Sequence, residues 1–220
     1  MAAMPQLSSV ESVEPKRSPE FRAGAITKLA RLHAEAEETA RLANLLGRSV
    51  HAAIALPVLA VLTIGFADGD VARQLVWCGF VLAVSIAIAV AYARAIRRPF
   101  ERDALKEFAK DLSAILLFSG FAWGAGAFLA LPAGSDPIAA VLFVAVPAIA
   151  MAALLREREA VFLFLAPVAT LASFASVLRP TGSGAIDAGL VLLVSAAIAG
   201  GAVLADPHRE RQMPAMLPLR

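Results

Sequence analysis

Twenty consecutive residues without a charge, Leu112 to Leu131, read LSAILLFSGFAWGAGAFLAL, and five further stretches of the same kind flank them. At about 1.5 Å of rise per residue, such a stretch crosses a hydrocarbon core of roughly 30 Å, so the bilayer is the solvent that shaped this chain. Backbone groups in lipid need internal partners, and a helix supplies them within one segment. The predicted fold class is therefore all-α integral membrane, with six transmembrane helices filling residues 48–205. The expected spans are Ser49–Ala67, Gln74–Ala93, Leu112–Leu131, Pro137–Leu155, Ala160–Leu178 and Ala188–Ala205. Composition agrees, with 59% hydrophobic and 17% charged residues against roughly 45–50% and 25% in soluble domains.

The connections carry the orientation. FADGD, PAGSD and RPTGSGAID are short, turn-rich and nearly free of basic residues, whereas residues 94–111 and 156–159 are rich in Arg and Lys. Every Lys and Arg except Arg73 and Arg179 falls on the side of the amino terminus. By the positive-inside rule, both termini are expected in the cytoplasm. The short turns also predict antiparallel neighbours for spans one and two, three and four, and four and five.

Outside the spans, residues 1–20 mix Pro, Ser, Glu and Lys with few large apolar groups and are expected to be disordered. Residues 21–47 read as an amphipathic cytoplasmic helix, with Leu29, Leu32, Ala36, Ala40, Ala43 and Leu46 recurring at spacings of three and four. Such a helix either lies on headgroups or pairs with a partner. Residues 206–220 read as a short cytoplasmic tail. The loop after span two either forms a juxtamembrane helix, with Phe100, Leu105 and Phe108 on its apolar side, or is a solvated connector. Its Arg94, Arg97, Arg98 and Arg102 are candidate contacts for lipid headgroups.

Within the spans the informative residues are small, proline or polar. Ser113, Gly120, Gly124 and Ala127 share one face of span three, and Gly200 and Gly201 adjoin in span six; such residues let a second backbone approach where lipid supplies no hydrophobic drive. Span three is accordingly the expected hub. Pro57, Pro147 and Pro167 sit mid-span as expected kinks, freeing the carbonyls of Ala53, Phe143 and Leu163, which neighbouring helices must satisfy. Trp123 lies near the middle of span three, where a buried indole N–H needs an acceptor, and Ser119 one turn earlier is a candidate. Trp123 either fills the bundle or lines a ligand pocket with Ser119, Thr170 and Ser173. Thr170, Ser173 and Ser195 are candidate hydrogen bonders between helices.

Elimination narrows the chemistry. Each expected span lacks Asp, Glu, Lys and Arg, the groups on which proton and ion coupling rest. His33, His51 and His208 are scattered, Cys78 is the single cysteine, and neither a phosphate-binding glycine loop nor a Ser/His/Asp arrangement is present. No enzyme activity, metal or cofactor is expected. The pI near 9.0 comes from residues beside the apolar blocks, so the lipid bilayer, not nucleic acid, is the expected partner.

The order of an amphipathic lead helix, six spans, a basic loop after span two, the segment SGFAWGAGAF and the hairpin MAALLREREAVFLFLAPV resembles the membrane-associated sensor modules that precede GGDEF diguanylate cyclase domains in bacteria. The resemblance covers roughly residues 38–205. It implies a multi-pass sensor of the bacterial inner membrane that works in signal transduction. In that family the sixth span feeds a cytoplasmic helix and an output enzyme. Here DPHRERQMPAMLPLR follows, and Pro207, Pro214 and Pro218 argue against a continuous helix. The expectation is a sensor-type module that signals to a separate membrane or signalling protein, or acts as a homo-oligomer. Two further readings stand beside it. One is a small transporter of two inverted three-span halves, with Pro57 and Pro147 at matching positions. The other is a structural subunit that packs against a larger membrane complex through its small-residue faces.

Overall fold

The computed structural model describes residues 19–66, 69–98, 102–132, 136–178 and 184–204, with side chains from Thr27 onward. It contains six helices: α1 (Pro19–Phe66), α2 (Val71–Ala95), α3 (Arg102–Leu129), α4 (Pro137–Leu155), α5 (Arg158–Val177) and α6 (Gly184–Leu204). All six are long and apolar enough to cross a membrane, and no strand occurs among the described residues. These are the helices of a multi-pass membrane protein. The expected disorder over residues 1–20 and the expected tail at 206–220 lie outside the described residues, save for Pro19 and Glu20, which open α1.

Three boundaries differ from the sequence expectation. The lead helix and the first span are one helix of 48 residues. No proline interrupts the chain between Pro19 and Pro57, so the change of composition near residue 48 alters the solvent the helix prefers without breaking its backbone bonds. The juxtamembrane segment is likewise continuous with the third span, since α3 begins at Arg102. Leu105 and Phe108 on that segment are buried; Phe100 lies outside the described residues. Finally, α6 begins at Gly184, which brings Asp187 into its first turn as a buried carboxyl.

The turns explain the helix starts on one side. Asp70 caps α2 by accepting from the Ala72 N–H at 2.9 Å, and Asp136 caps α4 by accepting from the Ile138 N–H at 3.0 Å, with Pro137 following. A carboxylate at the N-cap satisfies an amide that lacks a helical partner, and proline suits the next position because its missing N–H is not needed there.

The chain divides into two compact units at Ala40/Arg41. In the first, the described residues are helical and carry an Arg31–Glu35 pair at 3.1 Å, with Leu29 and Leu32 exposed. The second unit holds the bundle. Its closest packing is of α3 on α5, then of α2 on α3 and α5 on α6. Gly120 of α3 lies against Phe164 and Pro167, and Gly124 against Pro167 and Leu171. Both sets rise together in number, so α3 and α5 run parallel. Leu46, Ala52, Leu56 and Ala60 of α1 join the same core. The short turn between α3 and α4 does not make them close neighbours throughout. Each packs more against α5 than against the other, because the small face of α3 accepts α5 at backbone distance. Ile54, Val61, Phe80, Phe118, Leu142 and Leu193 point outward, a surface suited to acyl chains.

Candidate functional site

Two arrangements stand out in the bundle. The first is an aromatic cluster of Trp77, Trp123 and Phe143 from α2, α3 and α4. The two indoles meet edge to face with centroids 5.2 Å apart, and the Phe143 ring lies 5.6 Å from each. Trp123 Nε1 donates to the Phe143 carbonyl at 2.9 Å. That carbonyl is the one Pro147 leaves without its helical partner, so the orphaned acceptor of α4 and the buried indole of α3 satisfy each other. Trp77 Nε1 donates to the Ala122 carbonyl at 3.0 Å. Gly126 makes room for this ring: a Cβ there would lie 2.5 Å from Trp77 Cε2 and Nε1, and 2.7 Å from Phe143 Cζ.

Ser119 is not the acceptor for Trp123; its hydroxyl donates to the Ile115 carbonyl one turn back. A hydroxyl in an apolar helix has that acceptor within reach of its own Cβ, and no second helix needs to supply one. Thr170 and Ser195 behave alike, donating to Ala166 and Val191 of their own helices. Ser173 Oγ is enclosed without a hydrogen-bond partner among the described residues. Ser119 and Trp123 are buried, whereas Thr170 is exposed, so the four residues do not converge on one cavity.

The small residues separate in the same way. Gly120, Gly124 and Ala127 are buried, Gly120 and Gly124 at the α3–α5 crossing, whereas Ser113 is exposed and bonds to Ala109. Seven residues before Gly120 along parallel helices corresponds to position 157, where α5 is only starting, so nothing covers Ser113. At Gly200 and Gly201 an added Cβ would meet nothing within 4 Å. Gly200→Leu is therefore expected to change thermal unfolding in detergent by less than about 0.5 kcal/mol.

The second arrangement is a groove of about 570 Å³ at the end of the bundle where α4 stops and α5 starts. Ile149, Ala152 and Ala153 of α4 form one wall, with Val161 of α5 and Ile198, Gly201 and Ala202 of α6 opposite. Arg156, Glu157 and Arg158 stand at its mouth. Arg156 closes α4 in a left-handed conformation, φ 52°, donating its N–H to the Ala152 carbonyl at 3.1 Å. Glu157 occupies the N-cap of α5 but makes no capping bond with its side chain. Its carboxylate instead accepts from Arg41 of α1, Nε at 2.8 and 2.9 Å and Nη2 at 2.5 Å.

This pair bridges residues far apart in sequence, and its two sides differ in solvation: the Glu157 side chain is 11% exposed and that of Arg41 38%. Arg41→Gln strands a nearly buried carboxylate, whereas Glu157→Gln leaves a guanidinium that water can reach and that still faces Glu159 at 3.9 Å. The expected losses are about 1–3 kcal/mol for Arg41→Gln and below about 1 kcal/mol for Glu157→Gln. Thermal unfolding in detergent measures both, and the reverse order would show that the bridge is solvated.

Of the candidate headgroup contacts, Arg94, Arg97 and Arg98 are exposed and Arg102 is half-buried at the α2–α3 junction. Arg98 pairs with Glu107. The residues that sequence reasoning did not single out are Trp77, Gly126, Glu157, Gln74 and Asp187. Gln74 and Asp187 are polar residues buried at the opposite end of the bundle, where Gln74 Nε2 reaches toward the Ala130 carbonyl at 3.4 Å. Gln74 opens the expected second span and Asp187 closes the expected turn RPTGSGAID, so neither reads as a buried polar group. No cluster of His, Cys, Asp and Glu able to hold a metal occurs among the described residues. No protein-family model, curated protein or solved structure matches the chain.

Proposed function

We propose that the chain is a non-enzymatic sensor-type module of the bacterial inner membrane that receives a membrane-borne or small-molecule signal and passes it to a separate protein. The observation that carries this reading is the double position of Glu157, which lines the groove and also holds α1 through Arg41. An occupant that moves Glu157 changes the hold on α1, the helix that continues toward the amino terminus. Support for cytoplasmic termini comes from the basic residues, all but Arg73 and Arg179 lying on the side of the amino terminus. The resemblance to the modules in front of GGDEF domains supports the same role.

Electron–electron distance measurements between spin labels test it. The labels go on Asn44→Cys of α1 and Ala114→Cys of α3, both exposed positions, in a Cys78→Ala background. Nanodiscs of native-membrane lipid and of neutral phosphatidylcholine are compared. A lipid-dependent shift in the distance, abolished by Glu157→Gln, supports signalling through the bridge. Identical distributions in both lipids would sink it.

A second reading, a structural subunit of a larger complex, is favoured by α6, where Gly189, Gly200 and Gly201 have open space at their Cβ positions. Backbones of a partner helix could approach there closely. The three-plus-three transporter has less support: Pro147 is buried in its helix, whereas Pro57 is half-buried.

A further inference from the structure

We propose that the groove between α4, α5 and α6 seats one anionic phospholipid, with an acyl chain along Ile149, Val161 and Ile198 and the phosphate at Arg156. The proposal rests on the reading of this groove as the receiving site and names the class of its occupant.

Three properties of the groove select that chemistry. Its volume of about 570 Å³ falls in the range of roughly 300–1,000 Å³ typical of sites for small ligands. Below the mouth its lining is apolar, and the small side chains of Ala152, Ala153 and Ala202, with Gly201, leave width for a chain. Water gains little in such a trough, and a free phosphate would leave it empty. The mouth carries two guanidiniums, Arg156 and Arg158, against Glu157, which accepts three hydrogen bonds from Arg41; with Arg41 and its second neighbour Glu159, 3.9 Å away, counted as well, three positive charges face two negative. The balance there is positive.

The first turn of α5 adds to this field. Arg158 and Val161 both line the groove, so the positive end of the α5 dipole lies beside the mouth. The Glu157 side chain, which could have capped those amides, is turned to Arg41 instead. An anion at the mouth and an apolar chain below it match this layout, and basic pockets between membrane helices are established seats for lipid headgroups. The residues after Leu204 are a poorer fit. They carry Arg209, Arg211 and Arg220 against Asp206 and Glu210, the same sign of charge as the mouth.

Native mass spectrometry of the full chain in mild detergent tests the seat. The chain is equilibrated with equal amounts of phosphatidylglycerol and phosphatidylcholine of matched acyl composition, and the lipid retained on activation is measured. Phosphatidylglycerol is expected to be retained about tenfold over phosphatidylcholine, the scale of one charge-assisted hydrogen bond. Arg156→Gln should bring the two toward parity. Ala153→Leu should lower retention of both by filling the trough without changing charge. Position 153 is exposed, so this variant leaves the core intact. Arg73→Gln, at the opposite end, should leave retention unchanged.

Equal retention of the two lipids overturns the proposal. So does a preference that survives both Arg156→Gln and Ala153→Leu, which would place the lipid elsewhere on the bundle, or the absence of any retained lipid, which would leave the groove to another occupant. The result is separable from the spin-label result: an Arg156-dependent lipid with an unmoved α1 removes the signalling role and leaves the seat. Labels that move while no lipid is retained do the reverse.

Discussion

Gly120→Ala is expected to destabilise the bundle by about 1–3 kcal/mol, and Gly120→Leu to prevent its assembly. A Cβ at position 120 would overlap the Phe164 carbonyl oxygen and approach Pro167 Cγ to 2.5 Å. The first of these is backbone, and the second belongs to a ring that cannot change rotamer, so the strain cannot be relieved by a side chain swinging aside. The helices would have to separate. Because α3 and α5 form the closest pair in the bundle, separation loosens Gly124 against Leu171 as well. Helix association in a membrane depends on dispersion contacts and polar bonds at short range, so a small increase in separation forfeits much of it. The measurement is the yield of monodisperse protein in mild detergent, followed by thermal unfolding. Gly200→Leu serves as the control, and wild-type behaviour of Gly120→Ala would disprove the close crossing.

Trp123→Phe is expected to cost roughly 2–4 kcal/mol, in two parts that a double-mutant cycle separates. One part is lost packing among Trp77, Trp123 and Phe143. The other arises because the Phe143 carbonyl, already deprived of a helical donor by Pro147, loses the indole too. Pro147→Ala returns an amide N–H to that carbonyl. The cost of Trp123→Phe should then fall by about 1 kcal/mol, between the average of roughly 0.6 and the maximum of roughly 1.7 kcal/mol for hydrogen bonds between membrane helices. Equal costs in the two backgrounds would mean that water or another group satisfies the carbonyl.

The same bond shows how far the sequence could be read. Pro147 announces an orphaned carbonyl and Trp123 announces a donor in need of an acceptor, both visible as residue types in apolar runs. That they answer each other depends on where α3 crosses α4, and crossing points follow from packing over whole helices. Ser119, the nearer candidate in sequence, already has an acceptor one turn back in its own helix. The stripe of small residues on α3 was legible by periodicity, but a stripe has no marked ends. Ser113 drops out because α5 begins where its cover would have been, a fact about a different segment.

The Arg41–Glu157 bridge lay beyond sequence reasoning altogether. Arg41 reads as one charge on an amphipathic helix and Glu157 as one in a four-residue charged turn, and 116 positions separate them. A charge in sequence carries no address for its partner, whereas an apolar run carries its own instruction to enter lipid.

What the sequence alone determined is the set of helices and the class of solvent around them. Apart from the carbonyls its prolines release, each span satisfies its own backbone and needs only local composition, and the α4 bounds Pro137–Leu155 were legible to the residue because Asp136 and Arg156 fence it. Tertiary structure alone decided which carbonyl each indole finds, which glycines touch and where a groove stays open. Those outcomes depend on distances between segments that no local pattern encodes, and in a membrane, where burial from water does not drive helices together, they depend on shape and polar pairing at contact range.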